Sequence, residues 1–262
     1  MLQKPLAYKA TNLLSINFID HAFFTRQGGV SKGDFAYLNA SYNTNDHKDN
    51  VTKNRNIITT YFGNSKHKLV TLNQQRTANV VVVTKNNIPS VNHEGDALIT
   101  KEPNLILGVV TADCVPILLT DPKEKTIAAI HAGHNGAFLG IIENTINTLV
   151  QMGTNPKNIV AALGPSIKQQ SYEVKTDFYN KFLKQTKNNE NFFYYNNSKN
   201  CYFFSLQQYI INKLNNLDVT IIEELHFNTF TAPLLFFSHR YSSKNGKDRG
   251  LQASTIVIKE NI

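Results

Sequence analysis

The apolar runs 115–120 and 126–131 are joined by a stretch that begins Asp121-Pro122-Lys123-Glu124. A connection this short and this rich in turn-forming residues reads as an antiparallel hairpin. The register that pairs Thr120 with Lys125 sets Cys114 opposite His131. Directly opposed residues hold their Cβ atoms about 4.5–5.5 Å apart, close enough for a thiol and an imidazole to touch or to share a metal ion. A slip of one residue would send the two side chains to opposite faces.

The second run is followed by a helix expected over 137–152 and then by the run 159–163. These are the lengths of a βαβ unit, so strands 126–131 and 159–163 should run parallel. Ligands gather beyond the carboxyl ends of such strands, which puts loops 131–136 and 164–166 on one rim with Cys114 and His131. Helical periodicity also predicts helices over 50–62 and 205–217, and strand-like runs lie at 80–84, 97–100, 105–110, 219–225, 234–238 and 255–258. The Asn- and Lys-rich segment 187–200 reads as a surface excursion. The expected class is α+β: one domain over 1–262, with mixed β-sheets, flanking helices and an embedded βαβ unit. The 262 residues and 41% apolar content suffice for one core.

Several function classes fall away. The longest apolar stretch, 105–119, is interrupted by Thr111, Asp113 and Cys114, short of the roughly 18 residues of a membrane span. The start MLQKPLAYKATNLLSINF lacks the compact apolar run of a secretory signal, so a cytoplasmic location is expected. Only two cysteines occur, Cys114 and Cys201, without framework spacing, and both should be thiols. The net charge of +8 comes from lysines scattered among asparagines, with no nucleic-acid motif. It suits an anionic small molecule, and no nucleic-acid or membrane partner is expected. Nothing in the sequence fixes an oligomeric state.

Two loops combine glycine with polar groups. His131-Ala132-Gly133-His134-Asn135-Gly136 runs into a helix start and reads either as an anion cradle or as an ordinary strand-to-helix turn. Arg26-Gln27-Gly28-Gly29-Val30-Ser31 is a second candidate anion loop or a connecting turn. His67, His93, His226 and His239 have no partner that sequence assigns.

The same segments resemble the laccase-domain family of YfiH-type, multicopper polyphenol oxidase-like proteins. The likeness runs through Phe24-Thr25-Arg26-Gln27-Gly28-Gly29-Val30-Ser31, Tyr37-Leu38-Asn39, Val51 to Asn54-Arg55, and Gly95-Asp96-Ala97-Leu98-Ile99-Thr100. It continues in Thr111-Ala112-Asp113-Cys114-Val115-Pro116, His131-Ala132-Gly133, Gly164-Pro165, Ser171-Tyr172-Glu173-Val174 and Phe236-Phe237-Ser238-His239-Arg240. The resemblance implies a purine nucleoside phosphorylase acting on adenosine, inosine and methylthioadenosine with inorganic phosphate, and an adenosine deaminase as a second activity. It implies a zinc ion, formerly taken for copper, on three ligands. Two carry over to Cys114 and His131. The third falls on Arg76, whose guanidinium has no lone pair to give. Other departures are His134-Asn135 for a Trp-Arg, Ser171 for a cysteine, and Asn228-Thr229 for a cysteine-threonine. His134 is a substitute imidazole for the lost ligand, or else Arg76 holds an anion where the metal stood.

On this reading Cys114, His131 and Arg26 are the catalytic candidates. Arg26, Gly28, Gly29, Ser31, Asn39, Arg76 and His134 are the candidates for holding nucleoside and phosphate. Three alternatives remain: a Cys-His thiol hydrolase or deamidase, a non-catalytic nucleoside binder, and a copper polyphenol oxidase. The last lacks the histidine-rich clusters of a multi-copper site.

Overall fold

Three consecutive strands, β6 (Leu105–Thr111), β7 (Val115–Asp121) and β8 (Thr126–Ala132), each bury all seven of their residues. Strands apolar on both faces must be covered on both faces, and the computed structural model, which describes residues 4–63 and 66–260, shows how. The first three residues of the amino-terminal stretch lie outside it.

β7 and β8 sit in a six-stranded sheet ordered β13-β9-β7-β8-β5-β4, completed by β4 (Val80–Val82), β5 (Ala97–Thr100), β9 (Val160–Leu163) and β13 (Ile221–Glu224). Side chains alternate across the sheet. Val115, Ile117 and Leu119 point to a helical layer that includes α4 (Ile141–Gln151) and α6 (Leu206–Asn215), where Ile142, Ile146 and Ile210 meet them. Leu118, Ile127 and Ala129 point the other way, onto Leu107, Val109 and Ile256. Those belong to a five-stranded sheet ordered β1-β2-β14-β6-β3, with β1 (Ala7–Tyr8), β2 (Ile19–Phe24), β3 (Lys68–Val70) and β14 (Gln252–Ile258). Its outer face receives Ile58 of α2 (Lys48–Thr60), which packs with Ala22 and Phe24. The layers therefore run helix, sheet, sheet, helix. A short helix α1 (Thr11–Leu14) and a three-stranded sheet of β10 (Glu173–Val174), β12 (Cys201–Phe204) and β11 (Phe193–Asn196) lie beside them, the latter with α5 (Thr176–Gln185). No helix of the described residues is long and apolar enough to cross a membrane.

The βαβ reading holds with one refinement. β8 and β9 are both antiparallel to β7, hence parallel to each other, but β7 lies between them. The connecting helix starts earlier than expected, as α3 (His134–Leu139), and breaks at Gly140, whose φ of +100° suits glycine, before α4 begins.

The hairpin register needs correction. Asp121 pairs with Thr126 and Pro116 with His131, so Lys125, expected to pair with Thr120, stands in the turn at φ +49°. The Asp121 carboxylate accepts the Lys123 N–H (2.9 Å), which fixes a loop of four residues, 122–125. The shift is by two places, so side-chain faces are kept and Cys114 is set diagonally across from His131.

Two other expectations are corrected. Segment 234–238 is no strand, because the Phe237 N–H donates to the Gln252 side chain (2.7 Å) and Phe236 turns back to Ala232. Segment 187–200 is folded in rather than excursive: Phe192 joins the helix-side core, Asn189 is buried on the Phe182 carbonyl, and Phe193–Asn196 is β11.

The two sheets approach closely at the end of β9. A Cβ on Gly164 would stand 2.3 Å from Cδ1 of Phe23 and 2.8 Å from Cγ of Pro116. Gly164→Ala should therefore destabilise the protein by about 1–3 kcal/mol through overpacking. Thermal unfolding checks this, and an unchanged melting temperature would show that the sheets are looser here.

Candidate active site

The start of β7 and the ends of β8 and β9 share one rim, as the βαβ reading expects. The link from β6 to β7 is tight, and it passes through Asp113 in the left-handed region at φ +88°. This buried carboxylate accepts the Thr229 hydroxyl and the Arg240 backbone N–H, both at 2.6 Å, while the Asp113 carbonyl accepts the N–H of Ile167. Three distant segments thus clamp the residue before Cys114. Across the rim a Cβ on Gly133 would lie 3.0 Å from the Cys114 sulfur and 3.7 Å from Nε2 of His131. Glycine there lets thiol and imidazole converge.

Behind His131 stands Asp96, fully buried. Its carboxylate is 2.7 Å from His131 Nδ1 and accepts the N–H groups of Arg76 (3.1 Å) and Thr77 (2.6 Å) and the Thr77 hydroxyl (2.8 Å). Burial alone would raise the Asp96 pKa, but the bond to His131, its charge and the Thr77 donors hold it below the usual range. For His131 burial works downward, and the Cys114 sulfur and Asp96 outweigh it, pushing the imidazole up to about 9. Asp96, His131 and Cys114 form one row, with Nε2 turned toward the thiol.

The row opens on a cavity of about 670 Å³. Tyr172 and Phe178 are among the residues that line it. His134 also lines it, but its Nδ1 shares a hydrogen bond with the Tyr172 hydroxyl (3.0 Å) and its ring meets Phe178 edge-on. Burial, with Lys181 and Arg76, lowers the His134 pKa to about 4, so the ring is neutral near pH 7. Four of the chain's five arginines, Arg55, Arg76, Arg240 and Arg249, line the same cavity. So does His239, whose pKa is lowered by burial and by Arg249.

The donor set does not fit a zinc or copper ion. Cys114 and His131 offer two ligands where such ions take three or four from the protein. Among the described residues no group of three or more His, Cys, Asp or Glu could hold a metal. Arg76 brings a fixed positive charge in place of a donor, and Nδ1 of His134 is engaged by Tyr172.

The amino-terminal candidates lie elsewhere. Arg26 donates to the carbonyls of Ala36 (2.5 Å), Pro233 (2.9 Å) and Asp34 (3.3 Å) and stacks on Phe237. Gly28 and Gly29 allow close packing on Pro5 and on Tyr37-Leu38, not on a ligand. Ser31 and Asn39 both donate to Asp46. Ser31 and Asn39 reach the segments that carry two cavity arginines: the Ser31 hydroxyl accepts from Asn54 of α2, next to Arg55, and the Asn39 side chain accepts the Leu251 N–H, two residues after Arg249. Of the sequence candidates, Cys114, His131, Gly133, His134 and Arg76 do meet at the cavity. Sequence reading gave no role to Asp96, Arg55, Arg240, Arg249 or His239. One signal was available: arginine is scarce here, 5 of 27 basic residues, so each has more to explain than a lysine does.

The row makes stability pH-dependent. A histidine whose folded pKa is raised to about 9 from 6.5 contributes stability that is full below pH 6.5 and is lost as pH rises through about 9. Asp96→Asn removes the carboxylate partner, so its melting-temperature deficit relative to wild type should be larger near pH ~6 than near pH ~10. A deficit independent of pH would mean that the pair is not ionised as described.

A family model described as multi-copper polyphenol oxidoreductase laccase matches residues 20–259. The purine nucleoside phosphorylase of Rickettsia conorii is 37% identical over 200 residues, 76% of this chain and 81% of that protein. The purine nucleoside phosphorylase of Haemophilus influenzae is 31% identical over 229 residues, 87% and 91% of the two chains. Among solved structures, the hypothetical protein YfiH of Bacillus licheniformis superposes with a TM-score of 0.86 at 28% identity over 94% of each chain. YlmD of Geobacillus stearothermophilus gives 0.88 at 24% identity over 99% and 98%. Matched over almost its whole length, the chain belongs to the multi-copper polyphenol oxidoreductase laccase family.

Proposed function

We propose that this protein is a purine nucleoside phosphorylase, cleaving the glycosidic bond of adenosine, inosine and methylthioadenosine with inorganic phosphate. The observation that carries the reading is the cavity itself: four arginines and aromatic rings that include Tyr172 and Phe178 line one space beside the Cys114–His131 rim. Relatives named purine nucleoside phosphorylase supply the chemistry to test. A phosphate oxygen forms the new bond to C1′ of the ribose as the C1′–N9 bond breaks. The bonding pair leaves with the base, which takes up a proton. Ribose 1-phosphate and free purine result.

In this reading the cavity arginines whose guanidinium groups are not taken up by the protein hold and orient the phosphate, which is where most of the rate gain in such a displacement arises. The faces of Tyr172 and Phe178 receive the planar base. Cys114 and His131, backed by Asp96, supply the proton. No step passes through a metal, because the donor set does not fit one. Hydrolytic deamination needs an activated water, which zinc normally provides, so deamination should be the weaker activity.

Purified protein should release hypoxanthine from inosine and adenine from adenosine only when phosphate is present, with ribose 1-phosphate formed in equal amount and little ammonia from adenosine. No phosphate-dependent release from any of the three nucleosides would overturn the reading. Vigorous zinc-dependent ammonia release would overturn its metal-free part.

A second reading has its own observation: Cys114, His131 and Asp96 stand in the order nucleophile, base and orienting carboxylate. A thiol hydrolase of this kind would be alkylated at Cys114 by iodoacetamide within minutes at neutral pH. Sluggish alkylation would exclude it.

A further inference from the structure

Arginines are usually accounted for by carboxylates, and here none is. Every ion pair to a lysine or arginine among the described residues is made by a lysine. Two of the four cavity arginines spend their guanidinium groups on the protein. Arg55 donates to the Ala40 carbonyl (3.1 Å) and the Thr71 hydroxyl (2.9 Å). Arg240 donates to the carbonyls of Ser171 (3.4 Å) and Glu173 (3.1 Å).

Arg76 and Arg249 differ. Nε of Arg249 is buried without any hydrogen-bond partner, and such donors are costly unless something accepts from them. Arg76 uses its backbone N–H on Asp96 and its carbonyl on Asn135 (3.0 Å), and no described side chain accepts from its guanidinium. Both are rooted in fixed backbone. Arg76 sits in the left-handed region at φ +60°, held there by Asp96 and Asn135. Arg249 precedes Gly250, where a Cβ would strike Phe237 at 2.6 Å and Asn39 at 2.9 Å. The carboxylate of Asp113, which also lines the cavity, accepts from Thr229 and from the Arg240 N–H; its charge favours the Arg249 cation, but it makes no hydrogen bond to either guanidinium. Two fixed cations share one cavity, and although Asp113 and Asp177 also line it, no described carboxylate makes an ion pair with either guanidinium.

We infer that the guanidinium groups of Arg76 and Arg249 form the oxyanion subsite of this cavity and take inorganic phosphate between them. Planar forks of this kind match the oxygens of phosphate two at a time. The occupant of this part of the rim is then an anion where a metal ion would otherwise stand. The identity of the anion rests on the phosphorylase reading, whereas the existence of the subsite does not.

The test is calorimetric titration of inorganic phosphate into purified protein, together with the KM for phosphate and for inosine. Wild type should bind phosphate saturably. Arg76→Gln and Arg249→Gln should each weaken phosphate at least tenfold and leave inosine affinity within about twofold. Arg249→Lys keeps a charged stem in the packing and should weaken phosphate by an intermediate amount, so it reports the lost fork even if Arg249→Gln folds poorly. Unchanged phosphate affinity in Arg76→Gln or in both Arg249 variants, or no saturable binding by wild type, would overturn the subsite. Saturable binding that depends on both arginines but is accompanied by no phosphorolysis would uphold the subsite and overturn the phosphorylase reading instead.

Discussion

The buried carboxylate of Asp96 is the interaction on which the rest of the site depends. It stands just before β5, against the end of β8, and accepts four donors: His131, the N–H groups of Arg76 and Thr77, and the Thr77 hydroxyl. An ionised carboxylate survives burial only when its lone pairs are satisfied in this way. The same group orients the His131 ring so that Nε2 faces Cys114 and fixes the backbone that carries Arg76. One residue therefore ties the thiol–imidazole row to the cationic wall. Asp113 plays the matching part on the other side, where it clamps the β6–β7 link.

The middle of the chain was legible because its physics is local. Runs apolar on both faces, a turn beginning Asp-Pro and a helix of βαβ length give β7, β8, the helix and β9 with their relative directions. The register was missed by two places because Lys125 adopts a left-handed conformation, which side-chain type alone does not announce. Cys114 and His131 still meet, because an even shift keeps the face. The strands β2 and β14 bury polar residues, His21 in the first and Gln252, Ser254 and Thr255 in the second. Their pattern is therefore diluted, and β2 went unread. Strand β11 was missed because the Asn- and Lys-rich composition of 187–200 masks Phe192 and Phe193, which pack inward, and α5 and the four-residue β12 flank that segment.

The site was half legible. Cys114, His131, His134 and Arg76 converge, whereas Arg26 and its glycine pair belong to the scaffold. A fixed charge beside two glycines suggests an anion loop in sequence. In three dimensions its donors are consumed by carbonyls, and the glycines serve close backbone approach. Arg55, Arg240 and Arg249 come from loops and helices far apart in the chain, so no local motif could gather them. Their shared property, arginine in a lysine-rich chain, becomes meaningful only once the fold places them around one cavity. The metal implied by the family description and the side chains present thus part company at one position, Arg76, which brings a cation where a ligand would be needed.

The measurement that bears most directly on this account is a crystal structure of the protein grown with inorganic phosphate and an unreactive purine C-nucleoside. The account predicts phosphate in contact with Arg76 and Arg249, the base against Tyr172 and Phe178, and the ribose carbon between phosphate and the Cys114–His131 rim. A metal ion bridging Cys114 and His131, or a nucleoside bound outside this cavity, would contradict it.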